Sequence, residues 1–442
     1  MIRRLARIGA LVTVAAASIV PGSAYAAPAR PVTPIRHLVV MTQDQHSFDN
    51  YFGTRPGVDG LPAGTCLPRR KGAPGPCARP FALQASNPHE QLRSTPAIQL
   101  AAMNGGRMDG FVYAQRTGAA AVGYYRQQDV PVLGQLADHG VLFDRWFTSV
   151  PGDSIQNRLF AVSAQSTPDQ AEVPAAGWRN IPLIFDRLQA AGVSWRIYVQ
   201  NYEPALTIAT AGAKARRGGQ VARVPVLATT RFAESPTLSQ HVADLDRYYA
   251  DLAAGTLPAV SFVVSTSTTE RPPGDPTSGQ VLARTVLNSL SQSTSWSSSA
   301  FLLDYDTSGG WYDHVAPPTQ DGAQLGPRVP ALLVSPYATP GTANHTVFDS
   351  AAILKFIEHN WSLAPLTTRD RDAADLSTAF SFQQRPRAAS LAETGDGRPA
   401  LVRPSSPIIY ASYLLVLLAV AVATVWLAVR EWRRRPHPVP PA

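Results

Sequence analysis

The sequence predicts an α/β fold, a mostly parallel central sheet with helices on both faces, followed by one C-terminal transmembrane helix. Three observations predict it. Short apolar runs bounded by turn residues recur along the chain, stretches at helical spacing separate them, and a long uncharged apolar run lies near the end. Strand–helix–strand alternation favours parallel pairing, because each crossover helix covers one face of the sheet.

The elements follow in order. His37 to Met41, Trp195 to Val199, Ala259 to Val264, Ala300 to Tyr305 and Ala331 to Ser335 are short and apolar, with β-branched or aromatic residues, and read as buried strands. Ile181 to Ala191 has helical spacing and stops at Gly192. Leu238 to Leu252, Ser278 to Leu290 and Ala351 to His359 also read as helices. The Ala/Arg/Gly-rich region 201–257 loosens the pattern and reads either as a second domain or as a surface insertion.

The two ends read as targeting segments. Arg3, Arg4 and Arg7 precede an apolar run from Ile8 to Val20, and Ala24-Tyr25-Ala26 supplies the small residues of a cleavage site before Ala27. An ordinary N-terminal helix is the alternative. Ile408 to Val429 is 22 residues without a charge, and a bilayer needs about 20. Arg430, Arg433, Arg434 and Arg435 follow, which places the tail in the cytoplasm and the body outside. The expected organisation is a signal peptide at 1–26, one domain at 27–385, a flexible stalk at 386–407, a spanning helix at 408–429 and a cytoplasmic tail at 430–442.

Charge then excludes one class of partner. The chain carries +8, of which the signal contributes +3 and residues 430–435 another +3, leaving about +2 for the exported body. That is no footprint for nucleic acid, and no nucleic-acid motif accompanies it. Cys66 and Cys77 are the only cysteines. In an oxidising compartment they are expected to form a disulfide rather than a metal site.

Ligands of open parallel sheets sit at the carboxyl ends of the strands. Two strand ends run into carboxylates, at Thr42-Gln43-Asp44-Gln45-His46 and at Asp304-Tyr305-Asp306-Thr307. Carboxylates from two strands can share one hard cation, although Asp after a strand also serves turns and caps. Between them, Gly152-Asp153-Ser154 opens a helix. Ser154 reads as an N-cap, or as a nucleophile attacking a phosphoryl group held by helix-end amides.

These segments, in this order, resemble the bacterial phospholipase C/acid phosphatase family of phosphoesterases, relatives of alkaline phosphatase. Residues 43–53 match seven of the eleven positions of its opening signature, Gln-Glu-Asn-Arg-Ser-Phe-Asp-His-Tyr-Phe-Gly. Arg107 to Val112, Asp144 to Phe147, Ser149 to Gly152, Asn157-Arg158, Gly309 to Val315 and Arg328 to Ala331 continue the likeness. The resemblance implies an alkaline-phosphatase-like fold and hydrolysis of phosphoric esters, with phospholipid among the candidate substrates. It implies one divalent cation, with magnesium, manganese or calcium favoured by oxygen ligands, at Asp44, Gln45, Ser154, Asp306 and Thr307. It implies Ser154 as nucleophile, with His89, Arg271 and His314 around the phosphate or its ligands. The family's Glu-Asn, Asp-Glu and Glu-His-Pro appear here as Asp44-Gln45, Asp306-Thr307 and Glu270-Arg271-Pro272. Three of the four metal positions differ, so a catalytically degenerate envelope-binding or scaffold protein is the alternative. Oligomeric state is not readable from the sequence.

Overall fold

The computed structural model describes residues 29–389, apart from 73–74, 85–90, 116–117, 167–171, 267–269 and 272–275, together with residues 418, 424–426 and 430, which are helical. The expected signal, most of the stalk and most of the expected spanning run lie outside the described residues. Among the described residues no helix is long and apolar enough to cross a membrane.

The eight strands of the main sheet are β1 (His37–Gln43), β2 (Val141–Phe143), β3 (Trp195–Val199), β4 (Val242–Asp244), β5 (Val260–Val264), β6 (Ser299–Tyr305), β7 (Ala331–Val334) and β8 (Thr342–Asn344). Their order across the sheet is β8-β2-β7-β6-β1-β5-β3-β4. Every pairing is parallel except those of β7, which runs antiparallel to both β6 and β2. β5 and β6 are buried at every residue. That continuous apolar reading is what a strand covered on both faces requires.

Alternation along β3 identifies the two layers. Trp195 stacks on Phe185 of the helix α1 (Ile184–Ala190), with ring centroids 4.6 Å apart. Its neighbours Arg196 and Tyr198 instead bond Asp251 of α2 (Asp246–Ala254). Successive side chains of a strand point to opposite faces, so α1 and α2 cover opposite faces of the sheet. The expected α/β layering is therefore present, with one antiparallel strand inside it.

One expected helix is corrected. Leu238 to Leu252 breaks into a short turn of helix, the strand β4 and α2. Val242, Ala243 and Asp244 pair in register with Ile197, Tyr198 and Val199. Asp244 then accepts from the amides of Tyr202 and Asp246. Sheet-edge pairing overrides the helical spacing of this segment. The described residues of region 201–257 belong to the same compact unit as the rest of the body.

Cys66 and Cys77 form a disulfide beside a two-residue hairpin pairing of Leu67–Pro68 with Cys77–Ala78. The bond closes a loop with a sequence separation of 11. Replacing both cysteines by serine is expected to cost about 2–3 kcal/mol, the chain-entropy value for so short a loop. Urea denaturation of the two proteins checks this, and an unchanged midpoint would mean that the loop unfolds apart from the body.

Candidate functional site

β1 and β6 are adjacent and parallel, with Gln43 opposite Tyr305. The residues that follow them, Asp44 and Asp306, therefore emerge side by side at one edge of the sheet. The turn after β1 is tight: Gln45 has φ 59°, and its N–H donates to Asp306 Oδ1 at 3.2 Å. Gly309 lies so close that a Cβ there would stand 2.4 Å from the Gln45 carbonyl oxygen.

The helix α3 (Ser154–Ser163) supplies the next group. Its N-cap is Asp153, not Ser154. Asp153 accepts from the amides of Ile155 and Gln156 at 3.0 and 3.2 Å, and the Gln156 side chain accepts from the Asp153 N–H at 3.0 Å. This reciprocal capping box frees the Ser154 hydroxyl from capping. It also removes two of the helix-end amides that would have faced an anion. Asn157 fastens the preceding loop by accepting from the Val150 N–H at 3.1 Å and donating back to its carbonyl.

Ser154 and Arg158 are four residues apart on α3, so they share one helix face. Arg158 reaches both strand ends. Its Nε donates to Asp306 Oδ2 and its Nη2 to Asp44 Oδ1, each at 2.8 Å. A second guanidinium arrives from a short helix, Gln220–Arg223. Arg223 Nη1 donates to both oxygens of Asp44, at 2.9 and 2.7 Å. Burial opposes ionisation of Asp44, but Arg223 and Arg158 hold it far below the usual carboxylate range. Burial is the larger influence on Asp306 and lifts it to about 6, against the pull of Arg158.

Thr307 and Arg271 face elsewhere. Thr307 Oγ1 accepts from Gln99 Nε2 at 2.9 Å. Arg271 lines a cleft of about 850 Å³ together with Lys214, Arg217 and Glu203. The side-chain amide of Gln91 lies beside the Arg271 guanidinium. His89 lies outside the described residues.

His314 belongs to a separate cluster. Its Nδ1 meets Asp49 Oδ2 at 2.7 Å and its Nε2 meets Asp59 Oδ1 at 3.2 Å. Burial works against the imidazolium, but Asp49 and Asp313 outweigh it and raise the pKa. Arg328 bridges Asp49 and Asp313 at 3.0 and 2.8 Å. Asp49, Asp313 and His314 each offer one ligand atom, all within 4.8 Å of one another. Among the described residues this is the group whose spacing could accept a metal ion.

The Asp44–Asp306 pair does not fit a divalent cation as the side chains stand. Both carboxylates already bond guanidinium groups, and the four charges sum to zero. Thr307 turns its oxygen to Gln99, and the bond from Gln45 to Asp306 is made by its N–H. No step is therefore routed through a metal here.

Glu270 is a site residue that the sequence leaves unassigned. It is fully buried and accepts from Tyr51 OH at 2.6 Å and from Tyr305 OH at 2.9 Å. His46 stacks on Tyr51 with ring centroids 4.2 Å apart, and its Nε2 lies 3.0 Å from the Glu270 carbonyl oxygen. Burial pushes the Glu270 carboxyl up to about 8 from 4.5, although the tyrosine hydroxyls oppose the rise. A raised folded pKa means that the native state keeps a proton the unfolded state has lost. Its contribution is fully present below about pH 4.5 and is lost as pH rises through about 8. Thermal melts of the wild type are expected to fall across that window, and Glu270→Gln is expected to flatten the slope. An unchanged slope would assign the pH dependence to other buried carboxyls.

Arg158 and Arg223 complete the site without a strong signal in the sequence. Arg158 was visible only as part of the Asn157-Arg158 likeness to the family. Nothing near Arg223 marks it.

The chain is 28% identical over 440 residues to the non-hemolytic phospholipase C of Pseudomonas aeruginosa, covering 83% of this chain and 61% of that protein. It is 28% identical over 422 residues to phospholipase C A of Mycobacterium tuberculosis, covering 80% of this chain and 79% of that one. A protein of the alkaline phosphatase superfamily from Vibrio parahaemolyticus aligns over 79% of this chain and 72% of its own, at 12% identity and a TM-score of 0.38, too distant to assign residues. The model of the phosphoesterase family matches residues 35–364, most of the 442-residue chain. The two carboxylate-bearing strand ends and the Ser154 helix all lie inside that match, and the chain belongs to the phosphoesterase family.

Proposed function

We propose that this chain is a membrane-anchored, extracytoplasmic hydrolase of phosphoric esters in which Ser154 is the nucleophile. One observation carries the reading. Arg158, one turn beyond Ser154, grips carboxylates from two different strands and so fixes the start of α3 at the carboxyl edge of the sheet. Ser154 Oγ bonds to phosphorus as the bond to the ester oxygen breaks. Asp306 takes the hydroxyl proton, and the departing alkoxide takes a proton from bulk water and leaves as the alcohol. Water then cleaves the phosphoseryl intermediate, regenerating Ser154. The basic cleft of Lys214, Arg217 and Arg271 suits the approach of an anionic substrate. The names of the relatives support phospholipid as the substrate class, and an apolar run followed by arginines supports an anchor that brings the body to a membrane.

The test uses the full-length chain in detergent micelles, with a chromogenic phosphate monoester, a diester and a phosphatidyl substrate. Turnover that Ser154→Ala removes supports the proposal. Absence of turnover on all three overturns it and favours the alternative, a degenerate envelope-binding or scaffold protein. That second reading is favoured by one observation, the neutralisation of Asp44 and Asp306 by arginines.

The cleft makes a further prediction. Arg271→Ala is expected to raise KM for anionic substrates by about tenfold, the worth of one charge-assisted contact, with kcat little changed. Steady-state kinetics separates the two, and a fall in kcat alone would move Arg271 from binding to chemistry.

A further inference from the structure

We infer that Arg223, together with Arg158, supplies the positive charge at the Asp44–Asp306 position, so that this site works without a metal ion. The inference concerns the same site as the proposed hydrolysis, but it does not depend on turnover.

Geometry supports it first. Arg158 stands 2.8 Å from an oxygen of each carboxylate, and Arg223 bonds both oxygens of Asp44. A magnesium or calcium ion would sit about 2.0–2.6 Å from those oxygens. That position falls within the volume the two guanidinium groups fill. The gap between the carboxylates is closed from two directions, by α3 and by the helix that ends at Arg223.

Charge supports it second. The side chains are deeply buried: Asp44 is 3% exposed, Asp306 0%, Arg158 4% and Arg223 10%. Two anions and two cations balance. A dication added there would bring an uncompensated charge of two into a poorly solvated site, which is costly unless a guanidinium leaves. Arg223 is also tied at its other end, since its Nε donates to the Gly218 carbonyl at 3.3 Å.

The remaining ligands support it third. A cation that lost an anionic oxygen would need neutral oxygens in compensation. Thr307 is turned to Gln99, and the Gln45 backbone presents an N–H to Asp306.

The experiment measures manganese binding to the full-length chain in detergent, by melting temperature and by equilibrium dialysis after chelation. The expected wild-type result is no manganese-dependent shift that Asp44→Asn removes. Arg223→Gln frees Asp44 Oδ2 while Arg158 keeps its bonds to Asp44 Oδ1 and Asp306 Oδ2, and it is expected to tighten manganese binding by about tenfold or more, because two anions then face one guanidinium. Asp306→Asn in that background is expected to cancel the gain. Stoichiometric binding to the wild type that Asp44→Asn abolishes would overturn the inference. Binding that survives Asp44→Asn supports it and moves the ion to the Asp49, Asp313 and His314 group. Should Arg223→Gln fail to fold, the wild-type and Asp44→Asn arms decide alone. Loss of turnover in Ser154→Ala bears on the proposed hydrolysis, and none of these binding readouts moves with it.

Discussion

Ser154→Ala is expected to lower kcat on any accepted phosphoester by about 10⁴-fold or more, the scale seen when a covalent nucleophile is removed. Stability should hardly change. Capping of α3 rests on Asp153 and Gln156, so the lost hydroxyl carries no structural hydrogen bond there. A surface-type substitution of this kind stays within about 0.5 kcal/mol. The combination of lost turnover and an unmoved melting temperature distinguishes a nucleophile from a cap. Mass spectrometry of acid-quenched enzyme should find phosphate on the peptide containing Ser154 in the wild type. Turnover in Ser154→Ala within tenfold of wild type would end the assignment.

Arg158→Ala is expected to have the largest effect on stability. It strips Asp306 of its ion-pair partner and leaves Asp44 with Arg223 alone. Breaking one side of a buried pair typically costs about 3–5 kcal/mol, because a charge is left without compensation in the interior. Arg158→Lys should recover little. A single ammonium cannot present the two separated N–H donors that span both carboxylates. The double variant Arg158→Met, Asp306→Asn should recover part of the loss by removing the orphaned charge. The defect should also shrink as pH falls. Arg158 is what holds the raised pKa of Asp306 down, so without it Asp306 keeps a proton at higher pH. Protonation then relieves the buried charge in acid. Urea titrations at pH 7.5 and pH 5.5 measure both effects. Equal stability of wild type and Arg158→Ala would mean that the two aspartates are solvated rather than buried.

Much of this arrangement was legible in the residues themselves. Apolar runs at 37–41, 195–199, 259–264 and 300–305 announced buried strands. Two parallel neighbours must end at the same edge, so the aspartates after β1 and β6 were bound to meet. The two cysteines of a chain read as exported announced their disulfide. What periodicity cannot encode is the partner of a buried charge. Val242 to Asp244 carried helical spacing, yet sheet-edge pairing with β3 made it a strand. Glu270 stood without a role in the segment matching Glu-His-Pro, and packing closed Tyr51 and Tyr305 over its carboxyl.

The sequence alone determined the layers, the sheet edge and the carboxylates that stand there, because these depend on local spacing and on which side chains shun water. Only the tertiary structure decided that their counter-charge is guanidinium. Arg223 lies 179 residues from Asp44 along the chain. The attraction between them becomes strong only after folding has removed the water from both.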